Sequence, residues 1–107
     1  MHWRVEMLND TVRKEIYALP ADMQAHFLRI VSLISEYGLE RLGEPHVRHV
    51  TEKLWEMRLK GRSGISRALY VTAFGRRVVV LRAFVKKTQK TPQAEIKLAL
   101  RRSQEIV

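Results

Sequence analysis

The chain has no cysteine, which excludes disulfides, thiolate metal sites and cysteine nucleophiles, and suits a reducing compartment. Proline is scarce, with three in all, so few positions force a break in a helix. No stretch approaches the ~18 consecutive apolar residues that a membrane span needs. The opening MHWRVEMLND lacks the pattern of a secretory leader. The expectation is a cytoplasmic protein without a membrane partner. Acidic residues are missing from one region in particular. From Leu54 to Thr91 there are ten Lys or Arg and a single acid, Glu56.

What is present bounds the rest. A length of 107 residues with 46% hydrophobic content predicts one folded domain spanning 1–107. A chain of this size buries roughly two-thirds of its unfolded surface. The net charge of +9 is carried by one half. Residues 1–53 hold seven bases against eight acids, and residues 54–107 hold thirteen against three. Such asymmetry points to a polyanion: a phosphate backbone, an acidic partner protein or an anionic membrane surface.

Hydrophobic spacing predicts the order β-α-α-β-β-β-α, a small α+β fold. Trp3, Val5 and Met7 alternate with Arg4 and Glu6 as a short strand. Asn9 and Asp10 can cap a helix over about Thr11 to Ala18, which Pro20 ends. Met23, Phe27, Ile30, Val31, Ile34 and Tyr37 recur at helical intervals up to Gly38, so two helices form a hairpin. Residues 39–53 read as a loop. Three strands follow: one with Trp55, Met57 and Leu59 opposite Glu56, Arg58 and Lys60, one over Ser66 to Thr72, and one over Arg77 to Val85. Val78 to Leu81 are apolar on both sides, as in a strand covered on two faces. Pro92 opens a last helix carrying Ile96, Leu98, Ala99 and Leu100. The helical hairpin is expected to cover one sheet face and leave the basic face partly open.

The residues with chemistry lie on that open face. His46 and His49 are three apart but have no third ligand nearby, and His2 and His26 stand alone, so no metal and no cofactor are expected. No phosphate-binding glycine loop or Ser-His-Asp order occurs. Arg67 sits among Ile65, Leu69 and Val71, and Arg82 between Val80 and Phe84. An arginine in an apolar strand needs a carboxylate partner, such as Glu56 across the sheet, or a ligand. Lys86, Lys87 and Lys90 continue the cluster past the last strand. On RNA these groups can act without a metal: a 2′-hydroxyl attacks the adjacent phosphorus while guanidinium groups stabilise the developing charge. A lysine held among cations has a lowered pKa and can take or give a proton. Phe84 and Tyr70 are either core residues or platforms for an unstacked base.

Three strings carry a family likeness: Leu-Trp-Glu with Arg58 at residues 54–58, the Arg67 to Tyr70 strand, and Phe-Val-Lys-Lys-Thr-Gln-Lys-Thr-Pro at residues 84–92. With the helical hairpin before them, they make the chain resemble the RelE/ParE toxin superfamily, closest to its HigB-like, phage-derived branch. The resemblance implies a type II toxin that cuts messenger RNA on the ribosome. Its implied partners are a HigA-like helix-turn-helix antitoxin, the ribosome and mRNA, with operator DNA reached only through the antitoxin. It also implies Arg67 as the arginine on the scissile phosphate, Arg58 as a basic position on the preceding strand, and Lys86 and Lys87 as the basic segment ending the last one. From their place among the basic residues, Arg82 joins Arg67, Lys86 and Lys87 as a candidate catalytic residue, and Lys60, Arg62 and Lys90 join Arg58 as candidate RNA contacts. The chain departs from the pattern in two places. Glu56 stands where some relatives have lysine, and no tyrosine follows Ala83. The acid/base role falls to His46, His49 or Lys87. Two alternatives remain: a gyrase-inhibiting toxin of the ParE kind, and a non-enzymatic RNA- or ribosome-binding module.

Overall fold

A computed structural model describes residues 2–107. Strand β1 (Arg4–Met7) leads into helices α1 (Asp10–Tyr17) and α2 (Ala21–Tyr37) and a single 3-10 turn (Leu39–Arg41). Strands β2 (Val47–Thr51), β3 (Leu54–Gly61), β4 (Gly64–Ala73) and β5 (Arg77–Val85) follow, and α3 (Gln93–Ser103) closes the chain. The sheet order is β1-β5-β4-β3-β2. β1 runs parallel to β5, and the other neighbours are antiparallel. The predicted α+β class and element order are as expected, with one addition. β2 lies inside the segment read from sequence as loop. Its Val-Arg-His-Val-Thr pattern places polar side chains on both faces, so it lacks the alternation by which a half-buried strand is recognised.

Each helix forms where apolar residues recur at intervals of three and four. Val12 and Ile16 of α1, and Met23, Phe27, Ile30 and Ile34 of α2, are buried against the sheet. The cap of α1 is Asn9, whose side chain accepts from the Val12 amide, and Asp10 is already the first helical residue. The hairpin covers the face carrying Met57, Leu59, Ala68, Tyr70, Val78 and Val80. Trp55, expected in this core, is 38% exposed, because α2 ends before reaching it. α3 packs on the opposite face and seals a second cluster of Leu54, Leu69, Val71, Val79, Leu81, Ile96 and Ala99. The basic face is therefore half covered by α3, and the end carrying Glu56, Arg58 and Arg67 lies outside the cluster that α3 seals.

Side chains cap strand edges that no neighbouring strand reaches. β2 pairs with β3 only up to Met57, and the Arg58 amide then bonds to His46 O. Beyond that point α2 supplies the acceptors. The Lys60 amide donates to His26 Nδ1 at 2.8 Å and the Arg62 amide to Asp22 Oδ2 at 2.7 Å. Asp22 approaches so closely that a Cβ on Gly61 would lie 2.5 Å from its Oδ1, which explains the glycine. On the other flank β1 stops opposite Val80, and the β4–β5 register shifts there, leaving the rest of β5 as an edge. The Ala83 amide donates to Glu15, and Arg102 donates to Leu81 O.

Candidate nucleic-acid interface

Strand register brings four charged residues to the open end of the α3 face. Arg48 of β2 lies directly across from Glu56 of β3, and Arg58 of β3 directly across from Arg67 of β4. Two arginines facing each other in a ladder repel unless an anion sits between them. One carboxylate is available. Two of the four are buried, Glu56 at 1% exposed and Arg67 beside it at 2%. Arg67 Nη1 lies 3.1 and 3.0 Å from the two Glu56 oxygens and also donates to Thr91 Oγ1. Thr91 in turn donates to Glu56 Oε1 at 2.8 Å, and Arg67 Nη2 donates to Gln89 O at 2.7 Å. The segment after β5 thus folds back over the guanidinium. Arg67 was read as facing outward; it is instead a buried, paired residue at the base of a cavity.

That cavity has a volume of about 340 Å³ and is bordered by Arg48, Glu56, Arg67, Gln89, Lys90 and Thr91. Its cations outnumber the single carboxylate. The Nε atoms of Arg58 and Arg67 are both buried and make no hydrogen bond. An unpaired buried donor on a charged group is costly, and an anion entering the cavity would relieve that cost. Burial pulls the Arg67 guanidinium below its ordinary range, Glu56 opposes this, and Arg48 and Arg58 reinforce it. The Lys86 ammonium is likewise held below the usual lysine range, first by desolvation and then by the charges of Arg67 and Arg58.

The remaining predicted site residues divide clearly. Lys90 borders the cavity, while Lys86 and Lys87 line an adjoining groove with Gly64, Ile65 and Gln89. Lys60 and Arg62 are exposed at the β3–β4 turn, anchored by their backbones to α2. Arg82 does not join them. Its guanidinium is held by Glu95 at 2.6 Å and Glu15 at 3.1 Å, so of the two readings open to an arginine in an apolar strand, a carboxylate partner or a ligand, the structure shows the first, in an ion-pair network on the far flank. Glu56, the partner considered for it, belongs to Arg67. The Arg82 guanidinium stands 5.7 Å from the centre of the Phe84 ring, and Tyr70 is 1% exposed on the other face of the sheet.

Both histidines proposed for acid/base work have other neighbours. His49 borders the cavity, but its ring packs edge-on against Trp55 at 5.1 Å, and its Nε2 lies 2.7 Å from Glu52 O. The ring of His46 lies 6.1 Å from that of His26 beside α2. Among the described residues no group of three His, Asp or Glu gathers within reach of a metal. Two residues that sequence reasoning passed over complete the site. Arg48 was hidden in the supposed loop, and Thr91 could be placed only once the fold of residues 86–92 was known.

Comparison with known proteins agrees with this architecture. Residues 14–104 match the family model described as Phage derived protein Gp49-like. Among solved structures the fold is similar to that in "Crystal structure of archaeal RelE-RelB complex from Pyrococcus horikoshii OT3", with a TM-score of 0.54 and 22% sequence identity. The match covers 79% of this chain and 96% of that one. No curated protein matches by sequence. The chain therefore belongs to the phage-derived Gp49-like family and has a RelE-like α+β fold.

Proposed function

We propose that the protein is the toxin of a type II toxin–antitoxin pair, a ribosome-dependent endonuclease of messenger RNA that a helix-turn-helix antitoxin of the HigA kind neutralises. The observation that carries this reading is Arg67, with a buried unpartnered Nε–H, in the wall of a cavity that Arg48 and Lys90 also line, and backed by Arg58 directly across the ladder from it. A phosphodiester supplies the anion that this arrangement lacks. Family membership and the RelE-like fold support the same reading.

The chemistry needs only the RNA and these side chains. The 2′-oxygen forms a bond to the adjacent phosphorus as the bond to the 5′-oxygen breaks, leaving a 2′,3′-cyclic phosphate and a 5′-hydroxyl. Arg67 and Arg58 stabilise the charge on the non-bridging oxygens as it grows. One proton must leave the 2′-hydroxyl and one must reach the departing 5′-oxygen. Lys86, with its lowered pKa, suits one of these transfers, a role for which the sequence offered His46, His49 and Lys87. Glu56 occupies Arg67 until the phosphate competes for it. The ribosome supplies the in-line geometry of the message, so naked RNA is a poor substrate.

Induction in a growing culture is expected to stop growth, with primer extension showing cuts inside translated messages. Growth arrest with intact messages contradicts an endonuclease, and double-strand DNA breaks in its place indicate gyrase poisoning. Harmless overexpression leaves only an RNA-binding module.

A further inference from the structure

The hairpin face of the sheet carries a second cavity, on the opposite side from Arg67. α2 ends at Tyr37 and turns at Gly38, whose φ of 88° favours glycine, while β3 and β4 continue beyond it. The uncovered end is a pocket of about 360 Å³ with Trp3, Trp55, Leu39 and Leu42 as walls and Tyr70 and Thr72 beneath. Its size and lining, mostly apolar with a few polar groups, are those of a ligand site.

Two polar features point to the occupant. Tyr70 lines the pocket, and its hydroxyl, which is not among the sealed unpartnered polar atoms, makes no hydrogen bond to another described residue. Among the described residues the one charged side chain bordering the pocket is Glu40, whose Oε1 accepts from Trp3 Nε1 at 3.0 Å. Its carboxyl is held below the ordinary range, chiefly by a hydrogen bond from its own backbone and then by the Trp3 bond and the charge of Arg76, so it is ionised at neutral pH. This is an aromatic-walled recess with one carboxylate at its rim, beside which Arg76 also stands. Phosphate is repelled there, whereas a cation is attracted by both the indole faces and the carboxylate.

We propose that this pocket is a second binding site, which takes one arginine or lysine side chain of a partner polypeptide. The aliphatic stem lies between the indoles, the charged head meets Glu40, and the Tyr70 hydroxyl accepts an N–H. The site is independent of the RNA-cleaving role.

Trp3 and Trp55 are the only tryptophans in the chain, so intrinsic fluorescence reports on this pocket. The full-length protein is titrated with a short uncharged-ended peptide carrying one arginine, and with the same peptide carrying citrulline. A saturable fluorescence change is expected with arginine and about tenfold weaker binding with citrulline. Glu40→Gln keeps an acceptor for Trp3 and removes the charge, and is expected to reduce the arginine affinity to the citrulline level. Equal binding of the two peptides would overturn the proposal in favour of a merely apolar pocket. So would the absence of a saturable change up to about 10 mM, or displacement of the arginine peptide by an RNA oligonucleotide.

Discussion

At the scale of single residues, the Arg67–Glu56 pair decides whether the cavity exists. The two side chains are 3% and 2% exposed and share Thr91, so removing either leaves a charge buried without its partner. Glu56→Ala is expected to cost about 3–5 kcal/mol of stability, measured by denaturant unfolding. A loss below about 1 kcal/mol would mean that water, Thr91 and the Gln89 carbonyl already satisfy Arg67. Arg48 and Lys90 behave differently because they are exposed. Arg48→Ala and Lys90→Ala are expected to leave stability within about 0.5 kcal/mol while weakening RNA binding. Strand alternation made the shared face of Glu56, Arg58 and Arg67 legible, because side chains on a strand repeat with a period of two. It could not show that residues 86–92 fold back over Arg67. That cover depends on where the chain goes after β5, not on the strand itself.

At the scale of elements, the fold depends on side chains that finish strand edges. His26 of α2 accepts the Lys60 amide through Nδ1, which requires that nitrogen to be unprotonated. Desolvation first, then His46, Lys60 and Arg29, hold the His26 pKa below 6.5 in the folded state. As pH falls through about 6.5 the unfolded chain takes up a proton that the folded chain refuses, so stability declines below that pH and is flat above it. Melting temperature is expected to fall between about pH 7 and 5.5 in the wild type and much less in His26→Asn, whose Oδ1 also accepts. An equal fall in both would place the titrating group elsewhere. On the opposite flank Glu15 joins Arg82, Arg102 and the Ala83 amide. Glu15→Ala is expected to cost about 3 kcal/mol by the same unfolding measurement. None of this was readable from spacing. Arg82 sits in an apolar strand much as Arg67 does, and only the packing of α1 and α3 against β5 determines that its partners are Glu15 and Glu95 rather than a ligand. β2 escaped notice for a related reason. As a short edge strand it is held by pairing with β3, and its own sequence hardly alternates.

At the scale of the whole molecule, charge and fold divide the surface into two unlike sites. The α3 face gathers Arg48, Arg58, Arg67, Lys86 and Lys90 around one carboxylate, and the hairpin face carries the aromatic pocket beside Glu40. RNA bound on the cationic face releases counterions, so affinity should fall steeply with salt, and the slope should be shallower by about two in the Arg48→Ala, Lys90→Ala double variant. An unchanged slope would move the RNA to another surface. The central claim is that this cavity promotes attack by the 2′-hydroxyl on the phosphate that it holds. The most direct test incubates the purified protein with programmed ribosomes carrying either an all-ribose message or one with a single 2′-deoxy nucleotide immediately before the mapped cut. Cleavage with a 2′,3′-cyclic phosphate end is predicted for the first and none for the second, with the double variant cutting the all-ribose message at least about tenfold more slowly. Equal cutting of both messages would contradict the account.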